Sequence, residues 1–218
     1  ACELPGTFGL SPERIQIHMA GGVPVDGRMP GHTEDDAESA KSASGKISRN
    51  DAVIVLSASG STPFALAVAK NAKAKGAKII AIANNPGAPL FELADVSICL
   101  ETPPEVIAGS TRLGAGTAQK AALNLMSTLM GVQLGHVYQG MMVNLIADNA
   151  KLVARAVGIV AHITGASNGT CERALKRAEG NPKLAILIAE GATLTAAREL
   201  LNKHDGHLGP CRDALKNI

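Results

Sequence analysis

Apolar residues recur with strand-like or helical spacing along much of the chain, and the clearest unit covers residues 51–75. The apolar run at 53–56 contains β-branched residues and is typical of a strand buried on both faces. The turn SASGSTP follows at 57–63, and apolar residues then recur at helical spacing from Phe64 to Ala72. Pro63 suits the first turn of that helix, where its missing N–H costs nothing. The pattern predicts a strand, a turn and a helix in direct succession.

Two further apolar runs continue the same arrangement. KIIAIA at 78–83 and VSICL at 96–100 are predicted strands, and a short helix is expected between them at 90–94. Strands that alternate with helices at this spacing form right-handed βαβ units. We therefore predict an α/β fold, with a doubly wound parallel sheet and flanking helices.

The rest of the chain is predicted to be helical. Two short helices are expected at 12–20 and 32–43, and two long apolar helices at 121–135 and 138–164. Helices that are apolar on several sides need more than one neighbour. We therefore expect a homodimer with the helices of residues 121–164 at its interface.

The pattern changes after residue 164, which we take as the end of the first domain. Three short amphipathic helices are predicted at 170–179, 182–190 and 193–203, broken by glycines. Residues 204–209 are interpreted as a loop and 210–218 as a tail. The second domain, residues 165–218, is thus expected to be a small three-helix bundle.

The turn at 57–63 carries the first chemical signal. It places the hydroxyls of Ser57, Ser59, Ser61 and Thr62 between the carboxyl end of a strand and the N-terminus of a helix. Ligands bind at that end of open α/β sheets, and the free N–H groups and dipole of the helix favour an anion. An ordinary serine-rich capping turn is the alternative, but four hydroxyls exceed what capping needs. We interpret the turn as a phosphate-binding loop.

Composition excludes several classes of function. The net charge is +2 without a basic run, and the chain has no Trp, one Tyr and three Phe, so nucleic acid is a poor partner. No apolar run reaches the length of a membrane span. The four cysteines are scattered, as expected for reduced thiols in a cytoplasmic protein. His204 and His207 have the spacing of metal ligands, but a glycine-flanked pair is more typical of a solvated loop.

Three stretches carry a more specific resemblance. They are CELPGTFG at 2–9, VLSASGSTPFALAVAKNAKAKGA at 55–77, and the segment from GSTRLGAGTAQK to NAKLVARA at 109–156. Together they resemble the N-acetylmuramic acid 6-phosphate etherases, which belong to the sugar isomerase (SIS) superfamily. The resemblance covers essentially the whole chain, and the third stretch is its most specific part.

The resemblance implies a reaction and its catalytic groups. The family eliminates D-lactate from C3 of the ring-opened sugar and then adds water, which gives N-acetylglucosamine 6-phosphate without a metal or organic cofactor. By matching segments, Glu3 would protonate the departing lactate and Glu34 would remove the C2 proton. From the residues alone, Glu34 and the following two aspartates also fit the dipole of a helix N-terminus.

The same resemblance extends the predicted substrate site. Ser110 and Thr111 become further candidates for holding sugar or phosphate, and Lys120 and Arg112 for neutralising phosphate charge. For the two cations, a salt bridge on the surface of a helix is an equally good interpretation.

The family also has an earlier strand and a Gly-Thr-Ser-Gly phosphate loop before the Glu3 segment, and neither is found here. We expect an upstream portion or a second chain to supply this wall of the site. Two other functions remain possible from the sequence. One is a non-catalytic regulator that binds sugar phosphates, and the other is a phosphosugar isomerase.

Overall fold

The structure is a computed structural model that describes residues 1–26, 28, 31–147 and 149–217. The chain divides into two compact units. Residues 17–124 form the first, which we call the sheet unit. Residues 1–16 and those from 125 onward form the second, which we call the helical unit. The division that we predicted at residue 165 stays a prediction.

A three-stranded parallel sheet is the centre of the sheet unit. Its strands lie in the order β1-β2-β3, with Ala52 beside Lys78 and Ile80 beside Val96. The unit contains α2 Ser39–Ala43, β1 Ala52–Leu56, α3 Pro63–Ala74, β2 Lys78–Ala83 and β3 Val96–Cys99, with 3₁₀ turns at Thr33–Asp35 and Pro89–Leu93. The predicted α/β class and its three strands are confirmed.

Small side chains let α3 pack closely on the sheet. Ala69 and Ala72 are fully buried on the helix, against Ile79 and Ala81 of β2. Val55 of β1 belongs to the same cluster. Alternate residues of a strand point to opposite faces, so Ile54 and Leu56 lie on the other face, where they are exposed. Helix α3 follows the turn after β1, so its N-terminus lies at the carboxyl edge of the sheet.

The helical unit is built around a very apolar helix. Its elements are α1 Leu4–Phe8, a 3₁₀ turn Pro12–Arg14, the end of α4 Gly114–Gln133, β4 Val137–Tyr138, β5 Met141–Met142, α5 Ala150–Thr164, α6 Asn168–Arg177, α7 Pro182–Ala189, α8 Leu194–Lys203 and α9 Leu208–Lys216. Helix α7 contacts α5, α6, α8 and α9 and is buried from Pro182 to Ile188. It forms the centre of this unit.

One partly buried ion pair, between Arg212 and Glu190, links several of these elements. The Arg212 guanidinium donates to the Glu190 carboxylate, with Nε 2.9 Å from Oε1. It also donates to the Tyr138 hydroxyl at 3.0 Å and to the Ile163 carbonyl at 3.2 Å. The hydrogen bond to Glu190 is the largest influence that raises the pKa of Arg212, so the side chain stays charged. Helix α9 is therefore fixed to the hairpin β4–β5 and to the end of α5.

The prediction of a helix at 138–164 is wrong for the first third of that range. Residues 137–142 form a hairpin, in which Gln139 and Gly140 both have positive φ angles, of 49° and 74°. That geometry is the two-residue turn that matches the twist of paired strands. The helix itself begins only at Ala150, where the Asn149 side chain accepts a hydrogen bond from the Leu152 N–H.

The predicted tail at 210–218 is also wrong. Leu208–Lys216 forms a helix, so the described part of the C-terminal region has four helices after α5 rather than a bundle of three. The helices predicted at 12–20 and 32–43 are shorter than expected. In the second case the Asp36 carboxylate accepts from the backbone N–H groups of Glu38 and Ser39, which starts a separate helix there.

None of the described helices is both long and apolar enough to cross a membrane.

Lys183 is an exception in the apolar centre of the helical unit. It is only 4% exposed, and its ammonium donates to the Gly206 carbonyl at 2.8 Å. Burial lowers its pKa to about 8. An unfolded lysine has a pKa of about 10.4. Between these two values the folded protein loses the proton before the unfolded chain does, so the unfolded chain binds more protons and stability rises with pH.

We therefore expect Lys183→Met to remove one component of the pH dependence. The free energy of unfolding of the native chain should gain about 1–2 kcal/mol between pH 8 and 10 relative to the variant. Chemical denaturation followed by circular dichroism at both pH values measures this difference. Lys203→Met, at an exposed position of α8, is the matched control. An equal pH dependence in the native chain and in Lys183→Met would contradict the prediction.

Candidate functional site

The loop between β1 and α3 is organised by one buried hydroxyl. Ser57 Oγ accepts a hydrogen bond from the Gly60 N–H at 3.0 Å. It also lies 2.8 Å from Thr62 Oγ1 and 3.3 Å from Ser59 Oγ. Ser57 is buried, whereas Ser59 and Ser61 are exposed. The four hydroxyls look equivalent in the sequence, but in the structure Ser57 holds the loop together, Thr62 bonds to it, and only Ser59 and Ser61 are exposed.

The exposed hydroxyls are linked to one another. Ser59 Oγ accepts from the Ser61 N–H at 3.2 Å and from the Ser61 hydroxyl at 3.1 Å. Each hydroxyl can exchange a partner by rotating its O–H. An anion at this loop would therefore find donors already collected in one place.

The backbone of the loop requires glycine at position 60. Gly60 has a φ angle of +68°, and a Cβ there would lie 2.3 Å from Ala88 Cβ. The Gly60 carbonyl accepts from the Leu90 N–H at 3.0 Å. The Ala58 carbonyl accepts from the Asn84 N–H at 3.0 Å. The loop is thereby fixed to the segment that follows β2.

The N-terminus of α3 has no side-chain cap. Thr62 stands at the N-cap position, but its side chain makes no capping hydrogen bond and turns to Ser57 instead. Pro63 has no N–H, so the first backbone donors are those of Phe64 and Ala65. These N–H groups and the helix dipole attract an anion.

The N-terminus of α4 is already occupied by a carboxylate. Glu105 Oε1 accepts from the Ala115 N–H at 3.1 Å. The predicted site residues Ser110 and Thr111 lie in the turns just before this helix, where Ser110 Oγ accepts from the Arg112 N–H and the Thr111 carbonyl from the Gly116 N–H. A phosphate at α4 would have to compete with Glu105, which favours α3 as the phosphate site.

Two residues that the sequence analysis missed connect the neighbouring loops. Asn84 follows β2 directly, and its Nδ2 donates to the Leu100 carbonyl at 2.9 Å. Its Oδ1 accepts from Gln119 Nε2 on α4 at 2.8 Å. The position of Asn84 at the carboxyl end of a strand is a signal that could have identified it.

The predicted site residue Lys120 is exposed on α4.

The two predicted catalytic carboxylates lie in different units. Glu34 is exposed in the 3₁₀ turn Thr33–Asp35 of the sheet unit. Glu3 is exposed in the helical unit at the N-cap position of α1, where its carbonyl accepts from the Thr7 N–H at 2.9 Å. Their roles, like those of the predicted binding residues, remain predictions.

Among the described residues, no group of three or more His, Cys, Asp or Glu side chains is placed to hold a metal ion. His207, one of the two histidines considered above, lies at the N-cap position of α9, and its ring nitrogens lie 3.1 Å from the Gln133 carbonyl and 3.2 Å from the Asp205 carbonyl. All four cysteines are free thiols.

Comparison with known proteins places these features in a family. Residues 27–129 match the SIS domain. The chain is 40% identical over 210 residues to an N-acetylmuramic acid 6-phosphate etherase of Deinococcus radiodurans, with 95% of this chain and 69% of that protein covered. The chain belongs to the N-acetylmuramic acid 6-phosphate etherase family.

Two further etherases support this assignment. That of Actinobacillus pleuropneumoniae serotype 7 is 38% identical over 225 residues, covering 100% of this chain and 71% of its own length. That of Aeromonas hydrophila is 39% identical over 214 residues, covering 97% and 72%. The predicted family and SIS fold are confirmed. In this chain the SIS match covers most of the sheet unit, whereas Glu3 lies outside the match.

Proposed function

We propose that the protein cleaves the D-lactyl ether of N-acetylmuramic acid 6-phosphate, giving D-lactate and N-acetylglucosamine 6-phosphate. The observation that carries this proposal is the identity of about 40% to named etherases over nearly the whole chain. The uncapped N-terminus of α3, beside the hydroxyl loop, supports binding of the phosphate group. The reaction belongs to the recycling of cell-wall amino sugars, and we place it in the cytoplasm.

Two carboxyl groups are sufficient for the chemistry that we propose. In the ring-opened aldehyde, the carbonyl acidifies the proton on C2, and the Glu34 carboxylate accepts it. The C3–O bond then breaks, and the Glu3 carboxyl donates its proton to the lactate oxygen, which leaves a C2=C3 double bond. Water adds to C3 with Glu3 as base, and Glu34 returns the proton to C2. Both groups end in their original protonation states.

We further propose that two copies of the chain pair through the end of α4. Leu125, Leu129 and Val132 are large apolar side chains that remain exposed, and their spacing places them on one face of the helix. An apolar stripe of this kind is typical of a surface that is covered by a partner.

The proposed activity is tested by measuring D-lactate release from N-acetylmuramic acid 6-phosphate. We expect equimolar D-lactate and N-acetylglucosamine 6-phosphate, and no release from unphosphorylated N-acetylmuramic acid. The assay uses the chain of 218 residues and a version that carries additional upstream residues. Binding of sugar phosphate without lactate release in either version would contradict the proposal and favour a regulator. Interconversion of an aldose and a ketose phosphate would favour an isomerase.

A further inference from the structure

The segment that carries Glu3 is too short to hold its own conformation. Helix α1 spans five residues, Leu4–Phe8, and isolated helices of that length are unstable in water. The Glu3 carbonyl accepts the Thr7 N–H, and the Leu4 N–H donates to the Ala1 carbonyl, so the backbone of Glu3 moves with the helix. The position of the Glu3 carboxyl therefore depends on what fixes α1 to the rest of the helical unit.

An aromatic contact fixes one side of α1. Phe8 is buried, and its ring lies against Gly131 of α4 so closely that a Cβ at position 131 would be 2.7 Å from two ring carbons. This contact is apolar and therefore non-directional. It sets the distance of α1 from α4 but not the direction of the α1 axis.

Asn144 supplies the directional contact. Its Nδ2 donates to the Phe8 carbonyl at 3.0 Å, at the C-terminal end of α1. The next residue, Gly9, has a φ angle of +63° and approaches Asn144 so closely that a Cβ there would lie 2.3 Å from the Asn144 carbonyl oxygen. Asn144 thus covers the point at which the chain leaves α1.

Asn144 is itself held rigidly. Its neighbours Val143 and Leu145 are 0% and 3% exposed and belong to the apolar core around α7. The Val143 N–H donates to the Met141 carbonyl in the preceding hairpin. The amide of Asn144 therefore extends from the apolar core of the helical unit to the end of the short helix α1.

We propose that Asn144 is a positioning residue, which sets the place of the Glu3 carboxyl by holding the end of α1. This inference rests on the proposed function, in which Glu3 is the acid that protonates lactate. A displacement of about 1 Å between reacting groups costs on the order of 10²-fold in rate. Loss of the Asn144 hydrogen bond therefore acts on turnover much more than on binding, since the hydroxyl loop is a separate part of the chain.

The test compares Asn144→Leu, which has a similar size but no donor, with Asn202→Leu, an asparagine exposed on α8. We expect Asn144→Leu to lower kcat for D-lactate release at least tenfold and to leave KM and the affinity for N-acetylglucosamine 6-phosphate within about threefold. In a Glu3→Gln background the same substitution should cause no further loss, because it acts through Glu3. Independent, multiplicative losses would overturn the inference.

Hydrogen exchange tests whether Asn144 holds α1 in place, without relying on activity. In Asn144→Leu, the amides of the peptide that contains residues 4–9 should exchange at least tenfold faster, whereas those of α7 should not change. Unchanged exchange overturns the positioning role even if the protein is inactive. Absence of lactate release by the native protein, with faster exchange in the variant, contradicts the proposed function and leaves the structural role of Asn144 standing.

Discussion

Glu3→Gln is expected to lower the rate of D-lactate release by roughly 10²–10⁴-fold. Glutamine keeps the size of the side chain but cannot donate a proton to the departing lactate oxygen. The N-cap backbone of α1 does not depend on the carboxyl group, because the Glu3 side chain makes no capping hydrogen bond. The fold and the hydroxyl loop should therefore be unaffected. Steady-state lactate release measures the loss.

The control for this substitution is Glu172→Gln, at an exposed position of α6 in the same unit. It removes the same charge and should leave turnover unchanged. Calorimetric titration with N-acetylglucosamine 6-phosphate should give a dissociation constant for Glu3→Gln within several-fold of the native value. Turnover close to normal in Glu3→Gln would show that another group protonates the lactate. A large loss of affinity would instead place Glu3 in the binding of the sugar.

The strand–turn–helix unit at residues 51–75 could be predicted from the sequence because its signals are local. The apolar run of β1, the hydroxyl turn and Pro63 at the start of α3 each specify the conformation of the residues that contain them. Lys78–Ala83 was predicted with the bounds that the structure shows, for the same reason. The anion-binding geometry at the sheet edge follows from this order of elements.

Two errors in the predicted elements involve glycine and proline, and they have opposite causes. Gly206, Gly209 and Pro210 suggested a loop and a tail, yet a proline is tolerated in the first turn of a helix, where its N–H would have no partner. The spacing of Leu208, Cys211 and Leu215 was the signal for α9. In the hairpin, by contrast, Gly140 marked a turn, but the apolar residues around it also fit a helix.

The distribution of roles within the loop could not be predicted. Only the packed structure shows that Ser57 is buried and bonded to three partners, whereas Ser59 is exposed. Glu105 caps α4 from ten residues upstream, a distance over which no helix signal operates. Asn144 reaches Phe8 across 136 positions of the sequence. Such contacts depend on tertiary packing.

The hydroxyl loop gives the second large effect, because exposed Ser59 and half-buried Thr62 lie beside the uncapped N-terminus of α3. The double variant Ser59→Ala, Thr62→Val removes both hydroxyls and nearly preserves the size of the side chains. A hydrogen bond to a charged group contributes roughly 1.5–3 kcal/mol. We therefore expect the affinity for N-acetylglucosamine 6-phosphate to fall by about 10²-fold or more, measured by calorimetric titration.

The design of this experiment preserves the hydrogen bond that holds the Gly60 backbone, although Thr62→Val also removes the 2.8 Å hydrogen bond between the hydroxyls of Thr62 and Ser57. Ser57 is left intact because its hydroxyl accepts the Gly60 N–H, and its loss would disturb the loop itself. Ser42→Ala, at an exposed position of α2, is the matched control and should bind normally. If the double variant kept the native dissociation constant, the phosphate would have to bind elsewhere. The turn before α4 would then be the next place to test. There, Glu105→Gln is expected to increase the affinity for the sugar phosphate, because it removes the negative charge at the N-terminus of α4.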